Sequence, residues 1–234
     1  MQTSARTPKL INLLIALSAI LLIGALWMVF AYAPLEQTMG IVQKIFYFHV
    51  SSAWVGFFAF FVTFVGSLLY LLRGQDRWDR LAVASAEIGF VFISITLVSG
   101  MLWAKPVWGA YWVWEMRLTI SLIQWLIYFS YTLLRRSLAH TEDAARVSAV
   151  YGIVAFVTVP LSWFAIRWWR TIHPQVFSSS SSGLPASMLA TLLVCLGAFS
   201  VLYFTFLLQR LRLEKLVRER LAVLSAEADR EWAA

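Results

Sequence analysis

The main pattern along the chain is a series of long apolar stretches separated by short polar segments. Crossing the hydrocarbon core of a bilayer takes about 17–25 mostly apolar residues, and six stretches reach that length: residues 10–33, 52–72, 82–103, 118–134, 147–166 and 186–208. The pattern therefore predicts an all-α integral membrane protein. It has six transmembrane helices that form a single domain within residues 1–234, and residues 209–234 form a polar tail.

Basic residues are distributed unequally between the two sides of these stretches. Most of the 19 Lys and Arg residues lie in the N-terminal tail, in the loops after the second and fourth stretches, and beyond residue 209. The residues left on the other side are Lys44, Lys105, Arg117, Arg167 and Arg170. By the positive-inside rule, both termini are predicted to be cytoplasmic. The segments around residues 34–51, 104–117 and 167–185 then face outward, including a serine-rich loop at 178–182.

The C-terminal tail has its own pattern. Leu213, Leu216, Val217 and Leu221 follow helical spacing between basic residues. Such a basic amphipathic helix is typical of a segment that lies on the inner leaflet. A helix that binds a partner protein is the alternative interpretation.

Composition agrees with a membrane protein and narrows the function. Hydrophobic residues make up 61% of the chain, against about 45–50% in soluble domains. The net charge of +7 is spread over loops and tail rather than over one face, so nucleic-acid binding is not predicted. The chain has one cysteine, no glycine-rich phosphate cradle and no recognisable Ser/His/Asp arrangement, so we predict no enzymatic activity of its own.

A tryptophan-dense segment, WGAYWVWEMRLT, occupies residues 108–119 between the third and fourth stretches. It is too polar to continue either predicted helix and too aromatic for an ordinary solvated loop. Indole rings combine an apolar body with one N–H donor and settle at membrane interfaces. The segment is therefore either an aromatic belt that anchors helix ends or a platform for a planar ligand.

The three histidines are divided by the predicted topology. His140 falls in a cytoplasmic loop, whereas His49, before the second stretch, and His173, after the fifth, both face outward. A lone histidine would be read as a packing residue, but two at one level beside the tryptophans indicate a metal or cofactor site. Zinc sites usually take three or four protein ligands, whereas haem needs only one or two axial groups from the protein. Haem is therefore favoured.

Other outward residues supply the remaining groups that haem requires. Trp108, Trp112 and Trp114 can pack on the ring. Lys105, Arg117, Arg167 and Arg170 can receive its carboxylates, although basic residues near helix ends also reach towards phospholipid headgroups. Glu115, the acid of the segment, can orient an indole N–H or pair with an arginine instead of touching the ligand.

Several motifs together resemble one family. YFHVSSAW, AEIGF, LWAKPVWG, WGAYWVWEMRLT and WWRTIHP occur in this order along nearly the whole chain, and they resemble the CcmC family of WWD haem-handling proteins in cytochrome c maturation. The resemblance implies that His49 and His173 are the axial ligands of the haem iron. It implies that Trp108, Trp112, Trp114 and Glu115 form the platform. This chain has Glu115 where aspartate is usual, and Ser51 where proline is common.

The same resemblance implies a function in delivery. Haem b would be held transiently at the periplasmic face of the bacterial inner membrane and presented to the haem chaperone CcmE. The CcmA/CcmB ATP-binding transporter and the small subunit CcmD are implied as partners. Three alternatives remain: a WWD haem-attachment protein of the other cytochrome c assembly system, a bis-histidine membrane b-type cytochrome, and a structural subunit whose aromatics only hold lipid.

Overall fold

The computed structural model describes residues 8–138, 141, 143–169, 171–174 and 183–232. Those residues form helices joined by loops, with one isolated β-bridge between Glu36 and Gly40. The predicted all-α class is therefore confirmed for this part of the chain. The serine-rich loop at 178–182, His140 and Arg170 lie outside the described residues.

Seven α-helices follow one another in the described part of the chain. They are α1 (Lys9–Trp27), α2 (Ile45–Arg73), α3 (Asp76–Trp108), α4 (Met116–Ser137), α5 (Ala144–Phe156), α6 (Thr158–Trp168) and α7 (Ala186–Trp232). A short π-helical segment, Met28–Tyr32, extends α1, and a 3-10 turn, Ile41–Lys44, precedes α2. The Lys44 ammonium donates to the carbonyls of Val29 and Phe30 at 2.7 and 3.2 Å, so it caps the end of the first helix.

Five helical segments of the described chain are long and apolar enough to cross a membrane. They are Lys9–Tyr32, Ile41–Arg73, Asp76–Trp108, Ala144–Ala165 and Ala186–Glu227, and they match five of the six predicted spans. The predicted fourth span coincides with α4, a helix of 22 residues. Polar residues such as Arg117 and Gln124 make α4 less apolar than the others, so its length alone supports a crossing.

The predicted span at 147–166 is broken into two helices at Val157. Pro160 follows three residues later. It has no backbone N–H, and in a continuous helix its ring would clash with the carbonyl of Phe156. The Thr158 hydroxyl instead donates to the Ala155 carbonyl at 2.7 Å. The proline therefore accounts for the break between α5 and α6.

Helix boundaries around the tryptophan segment differ from those predicted. The expectation that residues 108–119 continue neither helix is wrong at both ends, because Trp108 ends α3 and Met116 begins α4. Gly109 stops α3 with a left-handed φ of 78°, a conformation that favours glycine. The Glu115 carboxylate caps the first turn of α4. The non-helical loop is therefore only residues 109–115.

Helices α2 and α3 pack most extensively, and small residues let their backbones approach closely. A Cβ placed on Gly89 of α3 would lie 2.8 Å from Cε1 of Phe60 and 2.9 Å from Cβ of Ala59, both on α2. Phe60 and Ala59 are fully buried. This contact holds α2 close to α3. It therefore also determines which residues of the two helices meet at either end of the pair.

Ion pairs connect the helices at one end of the bundle. Arg135 of α4 donates to both carboxylate oxygens of Asp79 of α3 at 3.0 and 2.6 Å. Arg210 of α7 donates to both oxygens of Glu87 at 2.7 and 3.2 Å. These residues belong to the end that the charge distribution predicts to be cytoplasmic. The predicted tail is helical and continuous with the last span in α7, and its contact with lipid stays a prediction.

The close contact of α2 and α3 gives a stability prediction. Replacement of Gly89 by alanine adds a methyl group where side-chain atoms lie within 3 Å, and overpacking of this kind costs about 1–3 kcal/mol. Gly89→Ala is expected to lower the thermal unfolding midpoint in detergent, followed by circular dichroism. Gly197→Ala is the control because nothing lies within 4 Å of its Cβ position. Equal midpoints for the two variants would contradict this account of the interface.

Candidate functional site

A cavity of about 620 Å³ lies at the end of the bundle opposite the ion pairs. Its volume is within the usual range for small-molecule and cofactor sites, about 300–1,000 Å³. The walls come from the first turns of α2, the C-terminal part of α3, the start of α4, the segment near residues 34–39, His173 with Pro174, and the chain around residues 183–188. Five of the predicted site residues line it: His49, His173, Trp108, Trp112 and Arg117.

His49 lies on α2, one turn after its start, and is held by α3. Its Nδ1 is 3.0 Å from the Thr96 carbonyl oxygen and 3.2 Å from Oγ of Ser99. Because a carbonyl oxygen can only accept, Nδ1 carries the hydrogen and donates it to Thr96. The lone pair of the neutral ring is then on Nε2. Such a second hydrogen bond is the usual way in which proteins orient a ligating imidazole.

Gly100 makes room for this imidazole. A Cβ at Gly100 would lie 3.0 Å from Cε1 and 3.4 Å from Nδ1 of His49. Gly100 is one helical turn after Thr96 and faces the same side of α3. The ring of His49 is therefore fixed by a carbonyl on one turn and accommodated by a glycine on the next.

His173 approaches His49 from the segment that follows α6. The two ring centroids are 6.3 Å apart, with an angle of 35° between the planes. The Nδ1 of His173 donates to the Pro174 carbonyl at 3.1 Å, so Nε2 again carries the lone pair. In both histidines the same ring nitrogen, Nε2, is thus left with its lone pair.

Hydrogen bonds tie the His173 segment to the start of α4. The Thr171 hydroxyl donates to Oε2 of Glu115 and accepts the backbone N–H of His173 at 3.1 Å. The other Glu115 oxygen, Oε1, accepts the N–H of Leu118 at 3.0 Å. Glu115 is therefore committed to protein groups through both carboxylate oxygens.

The surroundings of His173 keep its imidazole neutral. Burial, followed by the positive charge of Arg117 and the neighbouring His49, lowers the pKa of His173 to about 3. The ring is therefore unprotonated at neutral pH, and its Nε2 lone pair is available for coordination.

The tryptophans of the segment have different positions. Trp108 and Trp112 line the cavity, and Nε1 of Trp112 is buried without a hydrogen-bond partner among the described residues. Trp114 is 75% exposed, packs edge-to-face on Trp112 with centroids 5.8 Å apart, and is not part of the cavity wall. Glu115 is not part of the wall either. Contact of Trp114 or Glu115 with a ligand stays a prediction.

The basic residues predicted to bind the haem carboxylates also differ in their positions relative to the cavity. Arg117 lines the cavity and donates to the Ser162 carbonyl at 3.3 Å. Lys105 donates to the Gly109 carbonyl at 3.0 Å and lies over the Tyr111 ring. Arg167 lies over the ring of Trp163. Of these three, Arg117 is the one placed to reach an anionic group inside the cavity.

Sequence reasoning missed the residues that support the two histidines. Thr96, Ser99, Gly100 and Thr171 were not predicted as site residues. The spacing Thr96 to Gly100 places the carbonyl and the glycine on one face of α3, which is a usable signal once His49 is known to face that helix. Thr171, two residues before His173, fits a serine/threonine turn. The segment near Glu36, which also lines the cavity, carried no comparable signal.

Known proteins resemble this chain over most of its length. The profile of the heme exporter protein C (CcmC) family matches residues 2–226. The chain belongs to the heme exporter protein C family. A heme exporter protein C of Bradyrhizobium diazoefficiens is 35% identical, covering 97% of this chain and 86% of the relative.

More distant members of the heme exporter protein C family agree. The protein of that name from Escherichia coli K12 is 32% identical over 86% of this chain and 81% of its own length. The Haemophilus influenzae protein is 28% identical over 96% of this chain and 89% of its own length. The resemblance drawn from the motifs is confirmed.

Proposed function

We propose that this protein binds haem b at the periplasmic face of the bacterial inner membrane, between His49 and His173, and presents it to the haem chaperone CcmE during cytochrome c maturation. The observation that carries the proposal is the pair of neighbouring imidazoles in the cavity wall. Their Nδ1 atoms are occupied by carbonyl oxygens, and their centroids are 6.3 Å apart inside a cavity. Membership of the heme exporter protein C family supports the same ligand.

The separation of the rings fits one iron atom between them. With a metal-to-imidazole nitrogen bond of about 2.0–2.1 Å and about 1.1 Å from that nitrogen to the ring centre, two opposed ligands have centroids about 6.3 Å apart. The observed separation is compatible with both histidines holding a single iron, one on each face of the haem. No group of three His, Cys, Asp or Glu side chains able to hold a bare metal ion occurs within the described residues. A macrocycle that brings its own four nitrogens suits this pair.

The cavity walls match the rest of a haem molecule. Trp108 and Trp112 offer aromatic surface to the ring. The unpartnered indole N–H of Trp112 and the guanidinium of Arg117 are donors suited to a propionate. A neutral His173 beside Arg117 does not add a competing positive charge.

The placement of the site relative to the membrane follows from charge. The end that carries the Asp79–Arg135 and Glu87–Arg210 pairs also carries most of the basic residues, which supports a cytoplasmic position for it and for both termini. The cavity lies at the other end and therefore faces the periplasm. In this topology α4 is the fourth of six spans, and its length of 22 residues suffices to cross the hydrocarbon core.

The delivery step requires haem to leave. Two axial bonds from histidine would hold the iron reversibly, with no covalent link between protein and porphyrin. One edge of the ring could stay open, so that a side chain of the chaperone can reach a vinyl group. The chain acts here as a binding and presenting subunit. The CcmA/CcmB transporter, with CcmD, would supply ATP-driven release of the loaded chaperone.

A membrane b-type cytochrome is the second candidate, because His49 lies within a helix, as is general for fixed haems in such electron carriers. His173 lies in a loop segment instead, which favours a site that can open. Stable redox cycling of the bound haem by a quinol, without transfer to a chaperone, would favour the cytochrome.

Removal of either proposed ligand tests the site. His49→Ala and His173→Ala are each expected to lower the Soret absorbance per mole of purified protein several-fold, because one axial bond is lost. His140→Ala is the control, since the sequence places His140 in the opposite loop. Wild-type absorbance in both ligand variants would count against axial ligation.

Gly100→Ala tests the geometry without removing a ligand. Its methyl group would lie 3.0 Å from Cε1 of His49 and should displace the imidazole from its ligating position. We expect reduced haem occupancy with little change in the thermal midpoint of the haem-free protein. Gly24→Ala, which meets nothing within 4 Å, is expected to keep full occupancy. Full occupancy in Gly100→Ala would show that this position of His49 is not required.

The delivery role is tested by adding haem-free CcmE to the purified, haem-loaded protein. We expect a covalent haem–CcmE adduct, detected by haem staining after denaturing electrophoresis, together with loss of haem from this protein. The same haem-loaded protein incubated without CcmE provides the matched control. Haem that stays bound while no adduct forms would contradict the delivery role and leave the binding role intact.

A further inference from the structure

We propose that Glu115 and Thr171 are positioning residues that hold His173 in its ligating place, and that Glu115 itself does not contact the haem. The inference deepens the proposed function and rests on it where haem is concerned. Both carboxylate oxygens of Glu115 accept hydrogen bonds from the protein, one from the Leu118 N–H and one from the Thr171 hydroxyl.

A continuous chain of hydrogen bonds, called the tether below, runs from Glu115 through Thr171 to the backbone of His173. Glu115 sits at the N-cap of α4, so its backbone is fixed by that helix. Thr171 donates to Glu115 and accepts from the backbone N–H of His173. A hydroxyl has one hydrogen to donate and lone pairs to accept with, so Thr171 satisfies both partners at once. The position of His173 is therefore coupled to the start of the helix that carries Arg117.

The length of the acidic side chain is part of the arrangement. Aspartate, asparagine and serine are the favoured N-cap residues, because their short side chains reach the N–H groups of the first turn. Glutamate is longer, and here one oxygen caps Leu118 while the other extends to Thr171. Aspartate at this position would keep the negative charge and the cap, and it would withdraw the second oxygen from Thr171 by one methylene.

A competing role for Glu115 as a direct ligand contact fits the geometry less well. It is not among the residues that line the cavity. Its second oxygen faces the segment of residues 171–174, which connects to His173 through the backbone. The acid of the tryptophan segment thus acts on the site through the histidine rather than through the ligand.

The test uses the full-length protein in detergent and four variants. Thr171→Val removes the hydroxyl and keeps the side-chain shape, Thr171→Ser restores the hydroxyl, and Glu115→Asp keeps the cap but shortens the reach. Thr119→Val is the matched control: the Thr119 hydroxyl donates at 2.8 Å to the backbone carbonyl of Glu115, so it belongs to the same cap but not to the tether.

Two readouts separate the tether from haem binding. The first is hydrogen–deuterium exchange of the His173 amide in haem-free protein, followed by mass spectrometry. The second is the rate of haem loss to excess apomyoglobin. We expect both rates to rise about tenfold in Thr171→Val and Glu115→Asp, in keeping with loss of a hydrogen bond to a charged group. Wild-type rates are expected in Thr171→Ser and Thr119→Val.

A double variant at Glu115 and Thr171 tests whether the two residues act through the same contact. Glu115→Asp combined with Thr171→Val should be no faster than Thr171→Val alone, because valine already removes the contact with Glu115 that aspartate weakens. Amide exchange in Thr171→Val equal to that in Thr119→Val would overturn the tether. Haem loss that follows the tether variants while His173→Ala keeps normal haem would instead overturn the proposed ligand and leave the tether standing.

Discussion

The close contact between α2 and α3 is the constraint on which the rest of the structure depends. Gly89 lies against Phe60 and Ala59 with no space for a side chain, and this brings the two helices together along their length. At the end of the bundle that holds the cavity, the same approach places the Thr96 carbonyl against Nδ1 of His49. The orientation of one proposed ligand is therefore a consequence of helix packing in the core. A small change in that packing would be felt directly at the imidazole.

The second histidine is held by different means. His173 lies on a short segment after α6, where no helix fixes its backbone, and its position depends on hydrogen bonds through Thr171 to the start of α4. One proposed ligand on a rigid helix and one on a tethered segment suit the proposed function, in which haem is first held and then released.

Much of this could be predicted from the sequence. Apolar length located five membrane helices, and the charge distribution placed His49 and His173 on one side, where the structure brings them together. Helix ends were less predictable, because α2 and α3 continue beyond the apolar residues that marked them. Their ends depend instead on specific local features, such as the left-handed Gly109. Pro160 is the cause of the break at Val157 and can be read from the sequence. The sequence alone does not show that this proline outweighs the continuous apolar pattern around it.

The supporting residues of the site could not be derived in the same way. Glu115 and Thr171 are 56 positions apart, and neither periodicity nor composition relates them. Trp112 and Trp114 have the same side chain and lie two residues apart, yet Trp112 lines the cavity and Trp114 is exposed. The direction of each indole is set by the irregular loop at residues 109–115, whose course follows from tertiary contacts.

Electron paramagnetic resonance of the ferric haem complex tests the central claim most directly, since the spin state of the iron reports its axial ligands. Coordination by His49 and His173 together predicts a six-coordinate, low-spin signal in the wild-type protein. It also predicts loss of that signal, through haem loss or conversion to high spin, in each single alanine variant. A high-spin wild-type complex, or a low-spin signal that persists in either variant, would contradict ligation of one iron by this pair of imidazoles.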